Sequence, residues 1–151
     1  EGEGALLVVH LVLGRLEGTE VYRNVLRYPE AITTPGVLVV RPDAQLYFGN
    51  VNFLKDSLIE LEQAANEALH CVVLDASGIN QIDGSGEAAL REVIADYDKR
   101  GIEFRLAHAK GPVRDVLIKS GLVDLLGDTP FHYRVHDALA DIKAPADPLE
   151  A

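Results

Sequence analysis

Asp75, Asp83 and Ser85 are the side chains whose types and spacing best suit chemistry. They lie in one stretch, Cys71 to Gly86, that reads Cys-Val-Val-Leu-Asp-Ala-Ser-Gly-Ile-Asn-Gln-Ile-Asp-Gly-Ser-Gly. Asp83, Gly84, Ser85 and Gly86 bring a carboxylate and a hydroxyl to the mouth of a helix that the pattern starts near Glu87. Such a mouth favours anions, because its backbone N–H groups lack intrahelical partners and the helix dipole is positive there. Ser85 then has two readings. Its hydroxyl can cap the helix by accepting a backbone N–H, for about 1 kcal/mol. Alternatively it can accept a phosphoryl group: the dipole tolerates the added charge locally, while about two negative charges beside Asp83 change any docking surface by repulsion.

Other chemistries fit less well. A phosphate-cradling loop needs a glycine-rich run ending in Lys-Ser/Thr, or three spaced glycines after the first strand. Gly78, Gly84 and Gly86 match neither pattern and read as turn glycines, leaving only weak nucleotide binding. Asp75 ends a strand and Lys110 follows a later one, as in a receiver-type phosphoacceptor, but Gly14-Arg15-Leu16 supplies no acidic pair for Mg²⁺. Asp75 therefore reads as a turn cap. His132 and His136 have a metal-like spacing, yet Pro130 and the strand-like Phe131 to Tyr133 argue against a shared helical face. No histidine stands at a recognisable spacing from a nucleophile.

These residues need a scaffold, and the hydropathy pattern supplies one. Residues 5–13 and Val37 to Val40 read as buried strands, Gln45 to Phe48 as a further strand or hairpin arm, and Cys71 to Leu74 as a strand buried on both faces. Residues 14–35 read as an irregular arm, in which Thr19 to Leu26 can form a helical turn. Leu54, Leu58, Leu61 and Ala65 form one stripe of a helix capped by Asn50 or Asn52. Leu90, Val93, Ile94 and Tyr97 form another, ending at Lys99-Arg100-Gly101. Ile102 to Ala107 is a strand, and Gly111-Pro112 opens a helix closed by Ser120-Gly121. Leu122 to Leu126 is an apolar turn, Phe131 to Tyr133 an edge strand, and His136 to Ile142 a last helix anchored by Leu139 and Ile142. Strands alternating with helices define an α/β fold.

The 151 residues suffice for one domain with its own core. A net charge of -10 opposes nucleic acid and anionic lipid as partners. The one cysteine, Cys71, sits in an apolar run and reads as a small buried hydrophobe, which excludes a disulfide framework. No run approaches the ~20 apolar residues needed to span a bilayer. The opening Glu-Gly-Glu-Gly, without methionine, reads as the start of a piece cut from a longer polypeptide.

Leu74-Asp75, Ile82-Asp83-Gly84-Ser85-Gly86, Arg100-Gly101-Ile102, Lys110-Gly111-Pro112-Val113-Arg114 and Ser120-Gly121-Leu122 together resemble the STAS domain. That domain is shared by bacterial anti-sigma factor antagonists and the C-terminal part of SulP anion permeases. Gly18-Thr19-Glu20-Val21-Tyr22-Arg23-Asn24-Val25, Arg27 to Ala31, Pro35 to Arg41, Asp43-Ala44 and Leu46 to Asn50 resemble the permease form. Glu17 and Pro42 depart from its usual pattern, and the short Glu67 to His70 connection resembles bacterial members more than animal ones. The resemblance implies a mixed central sheet with amphipathic helices mainly on one face. It divides the chain into an N-terminal strand and linker (1–35), a STAS domain (36–143) and a flexible tail (144–151). It implies a non-enzymatic regulatory domain without a cofactor, at the cytoplasmic face of the bacterial inner membrane. Its partners would be the protein's own transmembrane domain, a second copy or a regulatory protein. Asp43, Tyr47, Asp75, Asp83, Gly84 and Gly86 form the expected interaction surface, and Ser85 matches the serine phosphorylated in the antagonists. The alternative is a freestanding antagonist in a kinase partner-switching system.

Overall fold

Five strands form one mixed sheet in the computed structural model, which describes residues 10–43, 51–65 and 67–142. They are β1 (His10–Arg15), β2 (Tyr22–Asn24), β3 (Val37–Pro42), β4 (Cys71–Asp75) and β5 (Glu103–Ala107), in the order β2-β1-β3-β4-β5. β3, β4 and β5 run parallel, while β1 is antiparallel to both β2 and β3. Helices α1 (Val51–Ala64), α2 (Gly84–Lys99), α3 (Gly111–Lys119) and α4 (Val135–Ala138) complete the fold, with short 3-10 turns at Ala76–Gly78 and Leu122–Leu125.

Alternation along the parallel strands sorts the core into two layers. Leu38, Val40, Val72, Leu74, Phe104 and Leu106 face α1, α2 and α3, meeting Leu54 and Leu58, then Leu90, Val93, Ile94 and Tyr97, then Val113 and Leu117. Each large aliphatic side chain buried here contributes about 1.5–3 kcal/mol. Val39, Cys71, Val73 and Ala107 face the other way, joining Leu13 against Val135 and Ala138 of α4. Helices therefore pack mainly on one face, and a single short helix with the N-terminal arm covers the second. Burial pushes the Cys71 thiol up to about 11, as befits a packing residue.

Several local expectations are corrected. Thr19 to Leu26 forms no helical turn: Tyr22–Asn24 pairs with Leu13 to Arg15 as an edge strand, and Thr19 Oγ1 donates to the Leu16 carbonyl at 2.8 Å to turn the chain back. Pairing satisfies the arm's backbone groups better than an isolated turn. The first strand extends to Arg15, where Ile32 adds a bridge. Phe131 to Tyr133 contributes one isolated bridge, His132 to Ala107, and not a strand. The last helix begins at Val135, where the Asp137 carboxylate reaches back to accept the Arg134 backbone N–H at 3.1 Å, and ends at Ala138. Residues 5–9, Gln45 to Phe48, Asn50 and the tail lie outside the described residues.

Candidate functional site

The parallel strands end at one edge of the sheet, where the Asp43, Asp75 and His108 backbones follow β3, end β4 and follow β5. Asp75 is 5% exposed, and its carboxylate accepts the Ser77 N–H at 2.9 Å, capping the 3-10 turn as expected for a turn aspartate. The turn folds back on β3. A Cβ added to Gly78 would lie 2.6 Å from the Pro42 carbonyl oxygen and 2.8 Å from Asp43 Oδ1, so only glycine allows this approach.

Asp83 is the N-cap of α2. Its backbone is extended and its Oδ1 accepts the Gly86 N–H at 2.8 Å. This corrects two expectations. The helix begins at Gly84 and not near Glu87, since the cap outweighs the poor helix propensity of two glycines. Ser85 is not the cap: it lies half-buried inside the first turn, next to the buried Gly86. The space around Gly84 is open.

The expected surface divides in two. Asp83, Gly84, Ser85 and Gly86 sit at the mouth of α2, the helix that packs on the three-helix face. Asp75 shares the alternation of Cys71 and Val73 and so belongs to the other face. There it lines a cleft of about 260 Å³ with Arg23, Arg41, Ser77, His108, Arg134 and His136. Asp43 stands between the two, against Gly78. Tyr47 lies outside the described residues.

The histidine and lysine pairings considered from sequence are not assembled. Lys110 Nζ donates to Asn80 Oδ1. His132 sits on the bridge to β5 and His136 on α4, where its nearest ion-pair partner is Glu20 at 3.6 Å. Among the described residues no group of three His, Cys, Asp or Glu side chains could hold a metal ion.

Sequence reasoning passed over the arginines of the cleft. One signal was available: Arg41 follows Val39 by two in a strand buried on both faces, so its guanidinium starts from the α4 face. Arg134 was not recoverable that way, because its position depends on Glu20, 114 residues away, at 2.8 Å.

An open α/β sheet with helices on one face, and polar groups gathered at the carboxyl ends of its parallel strands, defines a fold class in which ligands and partners meet that edge. The STAS domain family model matches residues 28–138, and the chain belongs to that family. Among curated proteins it is 40% identical over 137 residues to "Probable sulfate transporter 4.2" of Arabidopsis thaliana, covering 85% of this chain and 20% of the relative. It is 35% identical over 138 residues to "High affinity sulfate transporter 2" of Stylosanthes hamata, covering 85% and 21%. The chain thus spans about a fifth of the curated relatives it matches.

Solved structures share the fold. The murine Slc26a9 anion transporter in the inward-facing state aligns with a TM-score of 0.79 at 24% identity, covering 87% of this chain and 21% of that one. The SulP transporter STAS domain from Vibrio cholerae gives 0.61 at 20% identity, covering 77% and 88%. A putative anti-sigma factor antagonist from Thermotoga maritima gives 0.61 at 17%, covering 74% and 92%. Among the described residues no helix is long and apolar enough to cross a membrane.

Proposed function

We propose that this chain is the regulatory STAS domain of a SulP-type secondary anion transporter, carrying sulfate, bicarbonate or a related anion. The observation that carries the reading is the 40% identity to a sulfate transporter of which the chain spans 20%. The rest of such a protein would be its transmembrane transport domain, and this domain would hang at the cytoplasmic face. It acts by docking and performs no catalysis.

The direction of β1 supports where docking occurs. His10 pairs with Pro42, so a chain preceding His10 joins the sheet at the edge that carries Asp43 and Asp75. A membrane domain upstream would be tethered beside that edge. Contact between the two, with a second copy or with a regulator, would set the transport rate. Ser85 is where added charge would act, since phosphate in the first turn of α2 is compatible with the helix but repels acidic neighbours.

Carbonate-washed membranes from cells expressing the full-length gene product, probed with an antibody to this chain, test the reading. The expected result is a membrane-resistant species several times longer than 151 residues. A soluble species of this chain's own length would overturn it and favour the freestanding antagonist. In the full-length protein, Ser85→Glu is expected to change anion uptake at unchanged expression; identical uptake would remove this surface from the regulation.

A further inference from the structure

The cleft on the α4 face combines features that a docking tether does not require. Its lining includes three guanidiniums, Arg23, Arg41 and Arg134, against two carboxylates, Glu20 and Asp75. In a chain of net charge -10 this gathers cations, with Arg23 and Arg41 outside the ion pairs that occupy Arg134. The carboxylates are also partly used. Glu20 pairs with Arg134 at 2.8 Å, and Asp75 accepts the Ser77 N–H. Arg134 is in turn held by Asp137 at 3.1 Å, which fixes it as a wall of the cleft.

Arg41 differs from its neighbours. It is half-buried at the end of β3, yet among the described residues it makes no ion pair or side-chain hydrogen bond. Arg23 uses one nitrogen on its neighbouring Tyr22 carbonyl at 3.1 Å and keeps the rest of its fork. The Ser77 hydroxyl adds a small donor to the same wall. A guanidinium presents parallel N–H donors matched to paired oxygens, and of the three only Arg41 is half-buried. The apolar remainder is Val21, Tyr22 and Val135, and two imidazoles, His108 and His136, complete the lining.

We propose that this cleft is a binding site for a small divalent oxyanion of the sulfate or phosphate type, gripped by Arg41 and Arg23 with Ser77 beneath and Arg134 as the fixed wall. Asp75, whose carboxylate lies beside Ser77, repels the anion and keeps the affinity modest, as suits an effector that must leave. Occupancy would tie β2 of the N-terminal arm to the carboxyl edge of the sheet and to α4. The site goes beyond the docking role above and does not depend on which domain the chain is tethered to.

The test is a titration of the 151-residue chain with sodium sulfate, and separately with inorganic phosphate, at ionic strength held constant with sodium chloride and followed by backbone amide shifts. Saturable shifts at Arg23, Arg41, Ser77 and Arg134 are expected. Arg41→Gln should weaken binding about tenfold or more, the loss of a charged hydrogen-bonding pair. Asp75→Asn keeps an acceptor for the Ser77 N–H but removes the opposing charge, so it should tighten binding. Arg100→Gln, on the opposite face between α1 and α2, should change nothing. Arg23→Gln serves in place of Arg41→Gln if the latter fails to fold. Shifts that chloride reproduces, or an unchanged affinity in the arginine variant, would overturn the site. Saturation by one of the two anions alone supports it and names the source. None of these outcomes bears on membrane fractionation, so the two readings fail separately.

Discussion

Two glycines and two cap-type residues around the α2 mouth make opposite demands. At Gly78 an added methyl would meet the Pro42 carbonyl at 2.6 Å, backbone that cannot step aside. Gly78→Ala is therefore expected to lower stability by about 1–3 kcal/mol in urea denaturation. At Gly84 a methyl meets open space, and Gly84→Ala should be neutral or stabilising by up to about 1 kcal/mol. Asp83→Ala should cost about 1 kcal/mol through the lost cap, whereas Ser85→Ala should leave the melting temperature close to unchanged. The reverse order of those two would reassign the cap. Sequence could not choose between Asp83 and Ser85, because both are good cap residues two positions apart. The choice rests on the backbone, extended at Asp83 and helical after it.

Among the elements, α4 depends most on long-range contacts. Arg105 of β5 reaches it by donating to the Ala138 carbonyl at 2.7 Å and pairing with Asp141 at 2.5 Å. Hydrogen bonding to Arg105 holds the Asp141 carboxyl below the usual carboxylate range, and hydrogen bonding to Arg134 does the same for Asp137. Burial, with Arg105 adding to it, pushes His132 below its ordinary value. All three folded-state values are depressed, so the unfolded chain binds more protons and stability falls as pH falls. For His132 the loss begins below about pH 6.5, and for the two aspartates below about pH 4. Amide protection factors over Val135 to Ile142, taken against the unstructured-chain rate at each pH, should therefore fall on acidification, before those of α2. Arg105→Met should speed the same amides at neutral pH; equal protection in that variant would show that Val135 and Ala138 suffice. The helix itself was visible as an apolar spacing. Its early start was not, because the residue before it is an arginine, which has no side-chain acceptor to cap a helix, and only Asp137 reaching back to the Arg134 N–H marks the start.

Across the whole molecule, the sheet direction links these scales. One edge carries the carboxyl ends of β3, β4 and β5, the start of β1, the Asp83 cap and the arginine cleft. A perturbation there reaches the α4 face through the cleft. The two layers are joined through β4, whose five residues are all buried. Sequence alone determined the α/β class, the buried strands at 37–40 and 71–74 and the stripes of α1 and α2. It also determined the STAS resemblance, because hydrophobic period and local turn chemistry act between near neighbours. Tertiary structure decided that the arm forms β2, that Asp75 and Ser85 face different layers, and that Arg23, Arg41 and Arg134 converge. Those depend on pairing and ion pairs between residues up to 114 apart, whose partners no local window contains.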